Sequence, residues 1–187
     1  MSQPSDLAAA VQVLANTLLA SIANPADAIR IFTELNDFAI AEVNSTSVIG
    51  LAQNNVQNAV ADLCRRTAAV ALAVASSQYQ PTSQNDAENL QNIVCDILDN
   101  EILIAGNQGQ DETFIALQNL RTAVAQDLTT RGAALPDLRT YTMNQPMPSL
   151  ALAYQYYQDI VRTDELVGFA NPRHPAFMPV TFQALSF

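Results

Sequence analysis

The chain has 187 residues, of which 18 are acidic and 8 are basic, for a formal net charge of −10 with no lysine, no tryptophan and the single histidine His174. A phosphate-binding Walker loop and a Schiff-base enzyme both need a lysine, and zinc sites call for clustered Cys and His, of which the chain has two and one. A lysine-free acidic surface repels phosphate backbones, so nucleic-acid binding is not expected. The length suits one domain or a domain with a small module, at roughly 100–200 residues per domain. Hydrophobic residues make up 49% and charged residues only 14%, well below an average near 25%. Amides and hydroxyls supply the remaining polarity, and a surface low in charge favours association.

Taken in chain order, Ser5 is expected to cap a first helix running to about Ala23, with Asp6 in its first turn. Asn24-Pro25 ends it, and Pro25 can open a second helix to about Val43, with Ile29, Phe32 and Ile40 on its apolar side. Asn44-Ser45-Thr46-Ser47 is a polar break whose glycosylation sequon carries no meaning in a chain read as cytoplasmic. From Val48 to about Ser77, Ile49, Ala52, Val56, Val60, Leu63, Val70 and Val74 recur at helical spacing, which predicts one long helix burying that stripe. Thr67 fills the gap between Leu63 and Val70, and its hydroxyl can bond back to the helix.

Pro81-Thr82-Ser83 separates this helix from one carrying Leu90, Ile93, Val94, Ile97 and Leu98. A turn at 106–109 leads to a fifth helix with Asp111 and Glu112 at its start. Its stripe is Phe114, Leu117, Leu120, Val124 and Leu128, and Gly132 stands where a left-handed terminus would need it. Beyond residue 133 prolines and aromatics cluster. Leu138–Met143 reads as a strand, Ser149–Gln158 as a helix capped at or just before Ser149, Thr163–Phe169 as a helix capped by Thr163, and Val180–Phe187 as a closing strand. The expected fold is therefore mainly α: a bundle of about five helices over residues 1–134, then a small α+β module over 137–187 with the order βααβ.

Neither Leu7–Ala23, which is broken by Gln12 and Asn16 and lacks a basic flank, nor Ala68–Ala75 reads as a signal or membrane segment. Cys64 and Cys95 are expected as reduced, buried thiols, with a single disulfide between them as the alternative that sequence does not decide.

Two stretches resemble a known family. One runs from Tyr79-Gln80-Pro81-Thr82-Ser83 to Leu128-Thr129-Thr130-Arg131-Gly132-Ala133. The other is Arg162-Thr163-Asp164-Glu165-Leu166-Val167 followed by Asn171-Pro172-Arg173-His174-Pro175-Ala176-Phe177-Met178-Pro179. Together, over roughly residues 60–180, they resemble the C-terminal region of the Mu-type phage DNA circularisation protein N family, a tail and baseplate component of contractile-tailed phages. The family's N-terminal domain has no counterpart in the matched region. The stretch from Asp137 onward also resembles a LysM module. Ala153-Tyr154-Gln155-Tyr156-Tyr157-Gln158-Asp159 is similar to its first helix and following turn, and Glu165-Leu166-Val167-Gly168-Phe169-Ala170-Asn171-Pro172 to its second helix and exit. The Gly-Asp-Thr usual after the first strand is replaced by Asn144-Gln145-Pro146-Met147-Pro148, and the usual glycine before the last strand is missing. The resemblance thus implies the module's fold more than its sugar binding.

These resemblances imply a structural protein of a contractile tail, at the baseplate or tube–sheath junction, assembled in the host cytoplasm and present in the virion. Its partners would be other tail proteins, in several copies around the tail axis, with no nucleic acid, membrane or cofactor. Peptidoglycan binding is the alternative. The DNA activity in the family's name does not fit a lysine-free chain of this charge. The residues expected to dock are Arg173, His174, Phe177, Tyr154, Tyr157 and Arg162, with two of Tyr154, Tyr156 and Tyr157 expected in the core. His174 has no nearby nucleophile or orienting carboxylate, so no catalytic or metal-binding residue is expected. The acidic sets Glu34/Asp37, Asp96/Asp99/Glu101 and Asp111/Glu112 read as solvated helix faces, and Arg65-Arg66 either meets an acidic partner or neutralises carboxylates of this chain.

Overall fold

The computed structural model describes residues 4–37 and 47–186. Seven α-helices and one two-stranded sheet lie among them: α1 (Pro4–Ser21), α2 (Pro25–Asn36), α3 (Val48–Gln78), α4 (Gln84–Asn107), α5 (Asp111–Gly132), β1 (Leu138–Thr142), α6 (Ser149–Tyr157), α7 (Thr163–Ala170) and β2 (Thr181–Leu185), with a 3₁₀ turn at Ile160–Arg162. The fold is mainly helical with a small α+β end. The chain forms two compact units. One comprises Met1–Gln80 and Asn89–Thr129, the other Pro81–Glu88 and Thr130–Phe187. The second unit therefore takes the start of α4 and the end of α5 along with the βααβ segment.

Helix starts follow local chemistry. The Asn24 side chain accepts the Ala26 N–H (3.1 Å), and Pro25 follows at a position where its missing N–H costs nothing. Ser47 Oγ accepts the Gly50 N–H (3.0 Å) to open α3. Before α4, Ser83 Oγ accepts the Asp86 N–H (3.1 Å) while Asp86 accepts the Thr82 N–H (3.0 Å), a reciprocal cap. Two expected caps differ. Ser5 lies inside α1, which opens at Pro4. The cap of α7 is Arg162, without a side-chain bond, and the Thr163 hydroxyl instead bonds back to the Ile160 carbonyl at 2.5 Å. The cap of α6 is Pro148, the residue just before Ser149, also without a side-chain bond. The expected stretch of α2 beyond Asp37, with Ile40 and the Asn44 sequon, and the last strand residue Phe187 lie outside the described residues.

In the first unit α1 and α2 pack on α3. The core joins Phe32, Leu72, Val94, Leu98 and Leu128 with a run of alanines, Ala68, Ala69, Ala71, Ala73 and Ala75. This corrects the expected stripe of α3. Ile49, Val56, Val70 and Val74 are all exposed, Ile49 by 74% and Val56 by 64%. Spacing marks a helix but not which of its faces is buried. The alanine face won because methyl side chains let helix backbones approach closely. Elsewhere the stripes hold: Leu90, Val94 and Leu98 on α4 and Leu117, Val124 and Leu128 on α5 are buried, while Ile93 is exposed. Thr67 bonds back to the Leu63 carbonyl at 2.7 Å, as its place in the stripe suggested.

Gly132 does not adopt the left-handed conformation; among the described glycines only Gly109 does, with φ 67°. Gly132 ends α5 where a Cβ would stand 2.8 Å from the Ala87 Cβ, so close packing within the second unit accounts for it.

In the second unit β1 and β2 pair antiparallel, from Leu138 opposite Leu185 to Thr142 opposite Thr181. Leu138 N–H also reaches Asn85 Oδ1 (2.7 Å) at the start of α4. The core is Leu152, Ala153, Tyr157, Leu166, Met178, Phe182 and Ala184, covered by Tyr141 and Tyr156. The Tyr141 ring lies 4.7 Å from Tyr156 and 6.1 Å from Phe182, within the range where aromatic pairs add to area burial.

Candidate functional site

The loop from Asn171 to Val180, between α7 and β2, carries three of the six residues expected to dock. Asn171 ends α7 in the left-handed region (φ 41°), with its N–H on the Val167 carbonyl (2.9 Å). Asparagine tolerates this conformation because its short side chain bonds locally. The loop is then tied down by backbone bonds. Phe177 N–H donates to the His174 carbonyl (2.9 Å), Ser149 N–H to the Pro175 carbonyl (2.8 Å), Met178 N–H to the Met147 carbonyl (3.1 Å) and Met143 N–H to the Val180 carbonyl (2.7 Å). The buried Met178 anchors it in the core, and Pro172, Pro175 and Pro179 remove backbone freedom before any partner arrives.

On this fixed frame Phe177 is 74% exposed, and its ring centroid lies 6.1 Å from that of His174. His174 Nδ1 accepts the Ala176 N–H at 3.0 Å, which leaves its other ring nitrogen toward solvent as the donor. Arg173 is exposed. Arg30, Arg65, Arg66, Arg121, Arg139 and Arg162 each face a carboxylate of the chain, whereas Arg173 makes no ion pair with any described residue. Tyr154 on α6 is 65% exposed and Leu150, one turn earlier on the same face, 57%.

Tyr157 and Arg162 are placed differently from the docking expectation. Tyr157 is in the core, and the Arg162 guanidinium lies 3.9 Å above its ring. Arg162 is held by a bidentate pair with Glu165, Nε to Oε2 at 2.9 Å and Nη2 to Oε1 at 2.6 Å. Its pKa is raised chiefly by that hydrogen bond. Burial pushes the Tyr157 phenol up, the Glu165 charge adds to this, and Arg162 opposes it. Tyr157 supports the module from within, while Arg162 remains half-buried above it. Of the three tyrosines on α6, Tyr156 and Tyr157 face the core and Tyr154 faces solvent.

The first unit holds a polar cluster whose character the sequence did not reveal. Glu101, expected on a solvated face, is 1% exposed. Arg65 Nε donates to Glu101 Oε1 (3.0 Å), Arg65 also pairs with Asp62, and Arg66 Nε lies 3.6 Å from Glu101 Oε2. Arg66 further donates to Gln110 Oε1 (2.5 Å) and Gln108 Oε1 (2.9 Å), and Gln108 Nε2 donates to Asp62 (2.7 Å). Both arginines thus neutralise carboxylates of the chain. The cleft beside them, about 460 Å³, is lined by Asn55, Asn58, Asp62, Arg66, Gln108 and Gln110. Its charged groups are engaged with one another, and no nucleophile–base pair faces it.

Cys64 and Cys95 are free thiols; Cys95 is buried, as expected, and its pKa is raised mainly by desolvation, whereas Cys64 is partly exposed rather than buried, at an apolar groove of about 250 Å³ beside α1 and α2. Among the described residues no group of three or more His, Cys, Asp or Glu side chains could hold a metal, and no helix is long and apolar enough to cross a membrane. No family model matches the chain, and no characterised protein matches it.

Proposed function

We propose that this chain is a structural component of a contractile phage tail, at the baseplate or tube–sheath junction, and that it works by docking rather than by catalysis. The reading rests on the resemblance of residues 79–133 and 162–179 to the Mu-type DNA circularisation protein N family. One structural observation carries the docking role: a clamped loop that holds an exposed phenylalanine and an arginine with no ion pair to any described residue. In a chain of net charge −10, an arginine that pairs with none of the described carboxylates is available to a carboxylate on another protein. Ordering the loop beforehand lowers the entropy lost on binding, and arginine beside an aromatic is the composition of an interface hot spot.

The βααβ order supports a second reading, a peptidoglycan-binding module of the LysM type. The replaced loop at 144–148 counts against it. Retention of the purified chain on isolated cell walls at physiological salt would favour that reading.

The test of the tail reading is whether the chain occurs in purified virions, combined with Arg173→Ala. The substitution should leave thermal stability within about 0.5 kcal/mol, as for exposed sites without structural partners, and should lower the yield of assembled tails. Normal titres of infectious particles from the Arg173→Ala variant would remove the docking role.

A further inference from the structure

We infer that the exposed first half of α3 pairs antiparallel with the same segment of a second copy of this chain. The inference is independent of the tail reading. Ile49, Ala52, Val56 and Ala59 recur at spacings of three, four and three, which sets them on one face of the helix in the order of alternating seam positions. All four are exposed, and Val48 (84%) and Leu51 (53%) beside them are exposed as well. The opposite side of the same stretch is the one that packs within the unit, since Gly50 and Ala61 are buried. An open groove of about 610 Å³ runs along Val48, Ile49, Ala52 and Val56, with Gln53 and Gln57 also in its lining.

The occupant is identified by size and charge. In an antiparallel coiled coil each core layer joins one seam position of a helix to the other seam position of its partner. A register with Ala52 opposite Val56 gives the layers Ile49–Ala59, Ala52–Val56, Val56–Ala52 and Ala59–Ile49. Every layer then matches one β-branched residue with one alanine, so the helices keep an even separation and fill their holes. A parallel pair would alternate crowded Ile–Ile and Val–Val layers with hollow Ala–Ala layers. The segment is thus complementary to its own reverse, the property that a two-fold interface demands.

Charge points the same way. Residues 48–61 contain no Asp, Glu, Lys or Arg in a chain of net charge −10. Two copies can therefore meet along this face without like charges in contact, while Gln53 and Asn55 offer uncharged hydrogen-bonding groups at its edges. Antiparallel alignment also opposes the two helix dipoles. Four layers bury less than the roughly 1,200 Å² of a stable interface, so an isolated pair is weak, in the micromolar to millimolar range. An assembly that presents several copies side by side raises the effective concentration enough to populate it.

The experiment is sedimentation equilibrium on the full chain from about 5 to about 500 µM, with three proteins: the natural sequence, Ile49→Glu/Val56→Glu, and Ala52→Lys/Ala59→Lys. All four positions are exposed, and circular dichroism checks that each variant keeps its helical content. The natural chain should move from monomer to dimer across the series. Each variant alone should have its dimer dissociation constant raised at least tenfold. An equimolar mixture of the two variants should associate again. The antiparallel register sets the carboxylate introduced at position 49 against the ammonium introduced at position 59, and the carboxylate at 56 against the ammonium at 52. A natural chain that stays monomeric throughout, or association that both variants leave unchanged, overturns the proposal. A mixture that fails to associate overturns the antiparallel register and, with it, the reason for choosing a second copy.

Discussion

Glu101 shows how far a residue's role depends on its surroundings. At 1% exposure, its carboxylate faces two guanidinium groups, and those groups have further partners in Asp62, Gln108 and Gln110. Removing one member of a buried network leaves the others desolvated and undercompensated. Glu101→Gln should therefore lower unfolding free energy by about 3 kcal/mol, at the low end for a buried pair because Asp62 still faces Arg65. Glu34→Gln is the control, since its contact with Arg30 is exposed on both sides and should move stability by less than about 1 kcal/mol. Urea denaturation of both variants measures the difference.

Tyr157 gives the corresponding pH dependence. Its phenol pKa is higher in the folded chain than in the unfolded chain, mainly because burial disfavours the phenolate. The stability that this contributes is fully present below the unfolded value near 10 and is lost as pH rises through the folded value. Thermal melts should show the natural chain weakening above about pH 10 more steeply than Tyr157→Phe, which has no proton to lose. An identical alkaline slope for the two proteins would count against this account.

Among the elements, α5 needs its terminal glycine for packing rather than for a left-handed conformation. Gly132 is helical, and a Cβ there would sit 2.8 Å from the Ala87 Cβ, inside any tolerable carbon–carbon contact. Gly132→Ala gains helix propensity but forces that contact apart, for a net loss of about 1–2 kcal/mol. Adding Ala87→Gly removes the opposing methyl and should recover most of the clash in a double-mutant cycle. A left-handed terminus would have given a different result, because Ala87→Gly could not relieve backbone strain at Gly132. On α3 the division between faces has a comparable basis. Alanines and Leu72 take the buried side, and the larger Ile49 and Val56 are left outside.

At the scale of the whole chain, charge is arranged as well as counted. Six arginines face carboxylates within their own unit, and Arg173 stands apart in the loop before β2. One segment of α3 has no charge at all. An acidic protein repels copies of itself over most of its surface. The two surfaces proposed above for association, the uncharged face of α3 and the loop that carries Arg173, are places where that repulsion is absent or reversed.

Pattern and punctuation made the helices, the βααβ order and the clamped loop legible in the sequence. Asn24-Pro25, Ser83 and the prolines after residue 133 act through local bonds and fixed torsions, which belong to the chain itself. The aromatic clustering likewise indicated a second core. What only the tertiary structure decided was which face of α3 is covered, why Gly132 is a glycine, that Glu101 and Tyr157 turn inward, and that Arg162 is held by Glu165. Glu101 and Gly132 each depend on a residue far away in the sequence, Arg65 for the first and Ala87 for the second. Periodicity specifies a helical face, but burial is settled by the backbone that comes to lie against it.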